Sequence, residues 1–192
     1  MKSHALHTIT RLLLMGLWLT FVGVSGWSQT NITAENDIHY LFEQATIFKN
    51  KNNLELALDF LQKATEEAEK REDIKALIDC YHKFSLLYLD LNKEDSALFY
   101  WDRGTTLLTD IAYPYGNAIH KFIEATLLYR DSKYFQAIYM LNEAKQLSND
   151  RNLLNHITLL EGNIYLQIEK YDNATKNYNA LAVNSDLLEK NY

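Results

Sequence analysis

The chain has 192 residues, 47% of them hydrophobic and 23% charged, with six glycines and a single proline. That composition excludes an unfolded polymer, and so few breakers argue against a turn-rich β fold, which leaves one mainly helical domain as the expectation. The net charge is −6. Lys2 and Arg11 are the only charges in the first 28 residues, so the remainder carries 17 basic and 25 acidic side chains, a balance of −8. A surface this acidic repels phosphate backbones and anionic lipid, so neither nucleic acid nor a membrane surface is the expected partner.

The first element is an address. Lys2 and Arg11 precede a charge-free apolar run from Leu12 to Trp27, which closes beside the small residues Gly26 and Ser28. This is the layout of a secretory signal, expected to span residues 1–28 and to be cut after Ser28. The run has sixteen residues, short of the roughly twenty that cross a bilayer as a helix. An uncleaved signal acting as a membrane tether is the alternative. Cleavage places the mature chain outside the cytoplasm, periplasmic or secreted, with 29–35 as a linker.

From residue 36 onward one pattern recurs. Leu41, Ala45 and Phe48 lie at i, i+4, i+7, and Ala57, Leu61 and Ala64 repeat that spacing after the polar break Asn50-Lys51-Asn52-Asn53. Each trio marks one face of a helix, and the break marks a turn between them. Tyr81, Ser85, Tyr88 pair in the same way with Ala97, Trp101, Gly104; Lys121, Ala125, Leu128 with Ala137, Leu141, Ala144; and Thr158, Gly162, Tyr165 with Ala174, Tyr178, Leu181. In every unit a small residue (Ala45, Ser85, Ala125, Gly162) stands twelve positions before an alanine (Ala57, Ala97, Ala137, Ala174). Small side chains facing each other let two antiparallel helices approach closely, and the large neighbours fill the space beside them. The spacing predicts helices at about 35–50 and 53–70, 73–91 and 94–109, 114–131 and 133–148, 152–169 and 171–183. Repeats are expected at 36–70, 73–109, 114–148 and 152–184. Leu187 and Leu188 read as the start of a partial fifth unit over 185–192, as expected of part of a longer protein or of an open end that pairs with another chain.

The fourth unit, with Gly162-Asn163-Ile164-Tyr165, Tyr171, Ala174 and Tyr178, and the third, with Tyr134, Ala137, Ile138 and Ala144, resemble the tetratricopeptide repeat. The resemblance covers roughly residues 36–184. It implies an all-α, right-handed superhelical solenoid of about four helical hairpins. The Ala-to-Ala intervals of 40, 40 and 37 exceed the family's usual 34, which implies longer helices, as in its signalling-type relatives. The proline that often closes each repeat is missing; Pro114 instead suits a first helical turn. Lys121 and Thr158 stand where the family usually has large apolar residues, so those slots are expected to face solvent or pack poorly.

No enzyme signature stands out. His39, His82, His120 and His156 fall one per repeat with no close-spaced pair of the kind metal sites use, so neither metal nor cofactor is expected. Cys80 is expected to be a small buried hydrophobe. Asn173, in a glycosylation triplet, reads as a helix cap. The resemblance implies that first helices line a concave face. By helical offset that face is expected to include Phe42, His82, Leu86, Leu89, Phe122, Ile123, Tyr129, Leu159, Asn163 and Leu166, an apolar strip suited to a protein or peptide segment. Ordinary packing between adjacent first helices is the competing reading for each of them. The resemblance further implies a non-catalytic interaction module, akin to the exported sensor regions of bacterial signalling proteins. An exported assembly scaffold is the alternative, and a ligand-binding protein or enzyme using the groove is a third reading.

Overall fold

The computed structural model describes residues 37–189, with side chains through residue 183. The expected signal and linker lie outside the described residues. The described chain is all-α: α1 (Ile38–Asn50), α2 (Leu54–Lys70), α3 (Ile74–Asp90), α4 (Glu94–Leu108), α5 (Pro114–Arg130), α6 (Tyr134–Leu147), α7 (Arg151–Gln167) and α8 (Tyr171–Glu189).

Local chemistry sets the helix ends. Asp37, Asn53, Asp73 and Asp150 cap α1, α2, α3 and α7, each side chain accepting a hydrogen bond from an N–H of the first turn, which satisfies a donor that the helix leaves open. Pro114 opens α5, where its fixed φ and missing N–H cost nothing. Helices α1, α2, α3, α5 and α7 end in one motif. At the end of α3, the Asn92 N–H donates to the Leu89 carbonyl at 3.0 Å and the Lys93 N–H to the Tyr88 carbonyl at 2.9 Å. The residue at the centre of each such turn is left-handed: Asn52, Glu72, Asn92, Ser132 and Glu169 have φ between 54° and 60°. This doubly bonded turn reverses the chain at each helix end.

Four of these turns join the helices of one hairpin, and each is followed five residues later by an alanine: Ala57, Ala97, Ala137 and Ala174. All four alanines are buried, as are Ala45, Ser85, Ala125 and Gly162 on the preceding helices. Two contacts measure how closely the helices approach. The Ser85 hydroxyl donates to the Ala97 carbonyl at 2.8 Å, so a side chain of α3 reaches the backbone of α4. A Cβ on Gly162 would stand 2.7 Å from the Tyr178 ring, so the missing side chain is what lets Tyr178 settle against α7.

Successive helix pairs meet through apolar clusters. Ala45, Ala57, Leu61, Phe84 and Leu87 join α1, α2 and α3. Leu89, Ala97 and Ile123 join α3, α4 and α5. Ala118, Ala125, Ala137, Leu141, Leu153, Ile157 and Ile164 join α5, α6 and α7. The main helix–helix contacts join helices at most two apart in chain order. Two expectations are revised. The last helix, expected to end at 183, runs unbroken through Asn184-Ser185-Asp186 to Glu189; none of these residues breaks a helix, each costing only tenths of a kcal/mol. Asn173 lies inside the first turn of α8, not at its cap.

Candidate functional site

Three faces of α3 are taken by its neighbours. Tyr81 and Ser85 turn to α4, Leu77, Cys80 and Phe84 to the first hairpin, and His82 and Leu89 to α5. Lys75, Asp79, Lys83, Leu86 and Asp90 remain at three- and four-residue spacing, one stripe of the helix. The matching stripe of α1 holds His39, Phe42, Thr46 and Lys49; that of α5 holds Ile119, Phe122, Thr126 and Arg130; and that of α7 holds His156, Leu159, Asn163 and Leu166.

Side-chain pairs tie these stripes together. The Lys49 ammonium meets the Asp90 carboxylate at 2.8 Å, and the Lys83 ammonium lies over the Phe42 ring at 4.9 Å; both join α1 to α3. From α5, Arg130 donates to the Leu89 carbonyl at 2.6 Å and to Asn92 at 3.1 Å, supplying a cation at the C-terminus of α3. Phe122 and His156 join α5 to α7 with ring centroids 6.2 Å apart. Burial, and then the Lys49 ammonium, hold the His156 pKa below its usual value, while Asp90 pulls the other way.

One end of the row carries a polar knot. Tyr113, in the connection between α4 and α5, donates its hydroxyl to both Asp79 oxygens at 2.9 and 3.0 Å. Its ring occupies the space left by Gly116, where a Cβ would stand 2.3 Å from Tyr113 Cδ1. Lys75 lies 5.5 Å above the same ring. Burial raises the Asp79 carboxyl to about 6 despite the Tyr113 hydroxyl and the Lys83 ammonium. Burial likewise lowers the Lys83 pKa, against the pull of Asp79.

The ten residues expected to contact a partner separate into groups. Leu159 and Leu166 are open, 44% and 46% exposed. Phe42, Leu86, Phe122 and Tyr129 are half-buried; Phe122 and Tyr129 lean on the α5–α6–α7 cluster, and Leu86 on that of Leu89 and Ile123. Asn163 accepts the Tyr178 hydroxyl at 2.9 Å, a bond internal to the last hairpin. His82, Leu89 and Ile123 are corrections. Their exposures are 0%, 1% and 0%, because their side of each helix packs on a neighbouring hairpin, the following one for His82 and Leu89 and the preceding one for Ile123, so none of them is open to a partner. Lys121, in a slot expected to be open, is held by Glu124 and Glu143 at 3.5 and 3.2 Å.

The larger apolar exposure lies on second helices, outside the residues singled out above. Phe135 is 75% exposed, Tyr139 59% and Phe99 54%. Phe135 and Tyr139, with Leu128, Gln136, Met140 and Glu124, line a shallow groove of about 430 Å³. The signal was available: Phe135 and Tyr139 are four apart on the polar side of a helix, and Phe99 stands 40 residues before Tyr139.

Among the described residues, no three His, Cys, Asp or Glu side chains gather as a metal ion would require, and no helix is long and apolar enough to cross a membrane. No protein-family model and no curated protein matches the chain.

Proposed function

We propose that the chain is an exported, non-catalytic protein-binding module, a tetratricopeptide-type solenoid whose first-helix row receives an apolar segment of another protein. The observation that carries this reading is the pair Leu159 and Leu166, seven residues apart on the open stripe of α7 and 44% and 46% exposed. Two turns of helix present them side by side, the spacing that an amphipathic helix or extended apolar strand engages. Half-buried Phe122, on α5, the first helix of the preceding hairpin, prolongs the strip. The ionisable groups along the row are used in lateral pairs between helices (Lys49 with Asp90, Tyr113 with Asp79), an arrangement that stiffens a binding surface.

The exposed aromatics of α4 and α6 favour a second reading, in which the partner meets the second helices at Phe135 and Tyr139. Photo-crosslinking from probes at Leu159 and at Phe135, in the native host, separates the two. A distinct protein captured from Leu159 and not from Phe135 is the expected result. Capture from Phe135 alone moves the interface to the second helices. Silence at both positions removes the interaction role. The captured protein also decides between a sensory part of a signalling system and an envelope scaffold: a component of a signalling pathway marks the first, an envelope structural protein the second.

A further inference from the structure

Two imidazoles face each other inside the core. His82, from α3, has no exposed surface, and neither of its ring nitrogens has a hydrogen-bond partner. The His120 ring, from α5, lies 5.6 Å away between centroids. Its Nε2 is 3.2 Å from the Thr105 hydroxyl, and its Nδ1 has no partner. Helix α4 closes the space. The Trp101 indole stacks on His120 at 4.6 Å, and Gly104 offers bare backbone, where a Cβ would stand 3.0 Å from His82 Nε2. The two rings therefore sit on opposite sides of the junction between the second and third hairpins.

A neutral imidazole here forgoes hydrogen bonds; an imidazolium would be a buried, unpaired charge, which is far more costly. Nothing around the pair offsets it. The charge acting on His82 is that of His120, and the charge acting on His120 is that of Lys121, both from α5 and both cations when charged. Helix α4 contributes Trp101, Gly104 and Thr105, while its Arg103 lies over Tyr81 and Phe99. Asp79, also on α3, is bound by Tyr113. The chain's other repeats show the same slots without a buried titrating pair. Phe42 and Phe122 stand 40 residues either side of His82, and Cys80 and Ile157 stand 40 before and 37 after His120. His156, beside Phe122, is more exposed, and Asp90 and Asp150 offset part of what burial costs its charge.

We propose that His82 and His120 form an acid-sensitive latch: with both rings neutral the second and third hairpins stay packed, and a proton on either ring opens that junction while the hairpins themselves persist. The direction follows from burial, which holds His82 at about 3 and His120 at about 4, well below the ordinary 6.5. An opened junction takes up protons near 6.5 and the closed one does not, so closure is fully stable above 6.5 and weakens steadily as pH falls towards 4. Asp79, at the same junction, works in the opposite sense, because losing its charge relieves a burial penalty.

The test is amide hydrogen exchange of the full chain between pH 7 and 4, corrected for intrinsic exchange, with the histidine ring resonances followed by NMR. Wild type is compared with the double variant His82→Phe/His120→Ile, which copies Phe122 and Ile157 from the chain's own repeats. Wild type is expected to lose protection first along the facing sides of α3 and α5 and in the connection between α4 and α5, by at least about tenfold, with helical content retained. The double variant is expected to keep that protection. Any pH effect that arises elsewhere in the chain is common to both proteins, so their difference isolates the histidines. Equal pH dependence in the two proteins overturns the latch, as does simultaneous loss in every hairpin. Should the double variant fail to fold, the wild-type resonances decide: rings that stay neutral until the junction opens support the latch, and a ring titrating near 6.5 in the intact fold overturns it.

Discussion

Asp79 is a carboxylate placed where burial works against its charge. Its pKa is raised from 3.8 to about 6, with desolvation the leading cause and the Tyr113 hydroxyl opposing it. A carboxyl whose folded pKa lies above its unfolded value favours the fold when protonated; the stability it contributes is full below 3.8 and is lost as pH rises through 6. Asp79→Asn removes the charge and keeps an oxygen that accepts the Tyr113 hydroxyl. The variant is expected to be more stable than wild type at pH 7 by about 3 kcal/mol, two pKa units at roughly 1.4 kcal/mol each, and to match it below pH 4. Urea denaturation at pH 4 and pH 7 measures both. A less stable variant at pH 7 would mean that the Tyr113 bond to the ionised carboxylate outweighs desolvation. Cys80, the residue after Asp79, is the inert counterpart: fully buried, its thiol is pushed up to about 12 by the same loss of water.

At the scale of elements, the five left-handed turn residues carry a removable cost. Glu72, Ser132 and Glu169 hold φ of 54°, 59° and 60°, a region that glycine enters freely and side chains with a Cβ enter at roughly 1 kcal/mol. Replacing each by glycine is expected to raise stability by about 0.5–1 kcal/mol, read as a higher melting temperature with unchanged helical content. Asn52 and Asn92 should gain less, since asparagine tolerates this conformation. A lower melting temperature in Glu72→Gly would show that the glutamate makes contacts worth more than the strain. These turns explain what was legible in the sequence. The polar breaks and the twelve-residue interval between small residues are local signals, and they place seven of the eight described helices to within a few residues and the start of the eighth, whose end lies six residues further on. The interval works because Ser85 and Gly162 meet a facing backbone and a facing ring at distances that larger side chains forbid. The candidate site was less legible. Sequence spacing identifies a stripe of a helix but not which stripe a neighbouring hairpin covers, so Leu89 and Ile123 look like Leu159 until the neighbours are in place. His82 and His120 lie 38 residues apart, and their pairing depends on the offset between two helices that periodicity alone does not supply.

At the scale of the described chain, the main contacts between helices reach no further than two elements along the chain, so a perturbation should stay near its origin instead of spreading through one common core. Lys145 and Glu161 supply the means to test this. The Lys145 ammonium meets both Glu161 oxygens at 2.6 Å, and Glu161 is 5% exposed; the pair joins α6 to α7 and so the third hairpin to the fourth. Lys145→Met leaves the carboxylate buried with only the Asn177 amide, at 3.5 Å, donating to it, at an expected cost of about 3 kcal/mol, and a second substitution, Glu161→Leu, should recover most of it. The location of the loss is the more telling readout. Ten residues of α3 are buried, whereas Ala174 is the one buried residue among the described side chains of α8; the fourth hairpin therefore has little to hold it besides α5, α6 and this pair. Hydrogen exchange in Lys145→Met is expected to rise in α7 and α8 and to stay unchanged in α1 to α4. A uniform rise across all eight helices would mean that the described chain unfolds as one cooperative unit. A confined rise would mean that the surface bearing Leu159 and Leu166 can loosen and tighten independently, so that a partner binding there would be read out as order in the fourth hairpin.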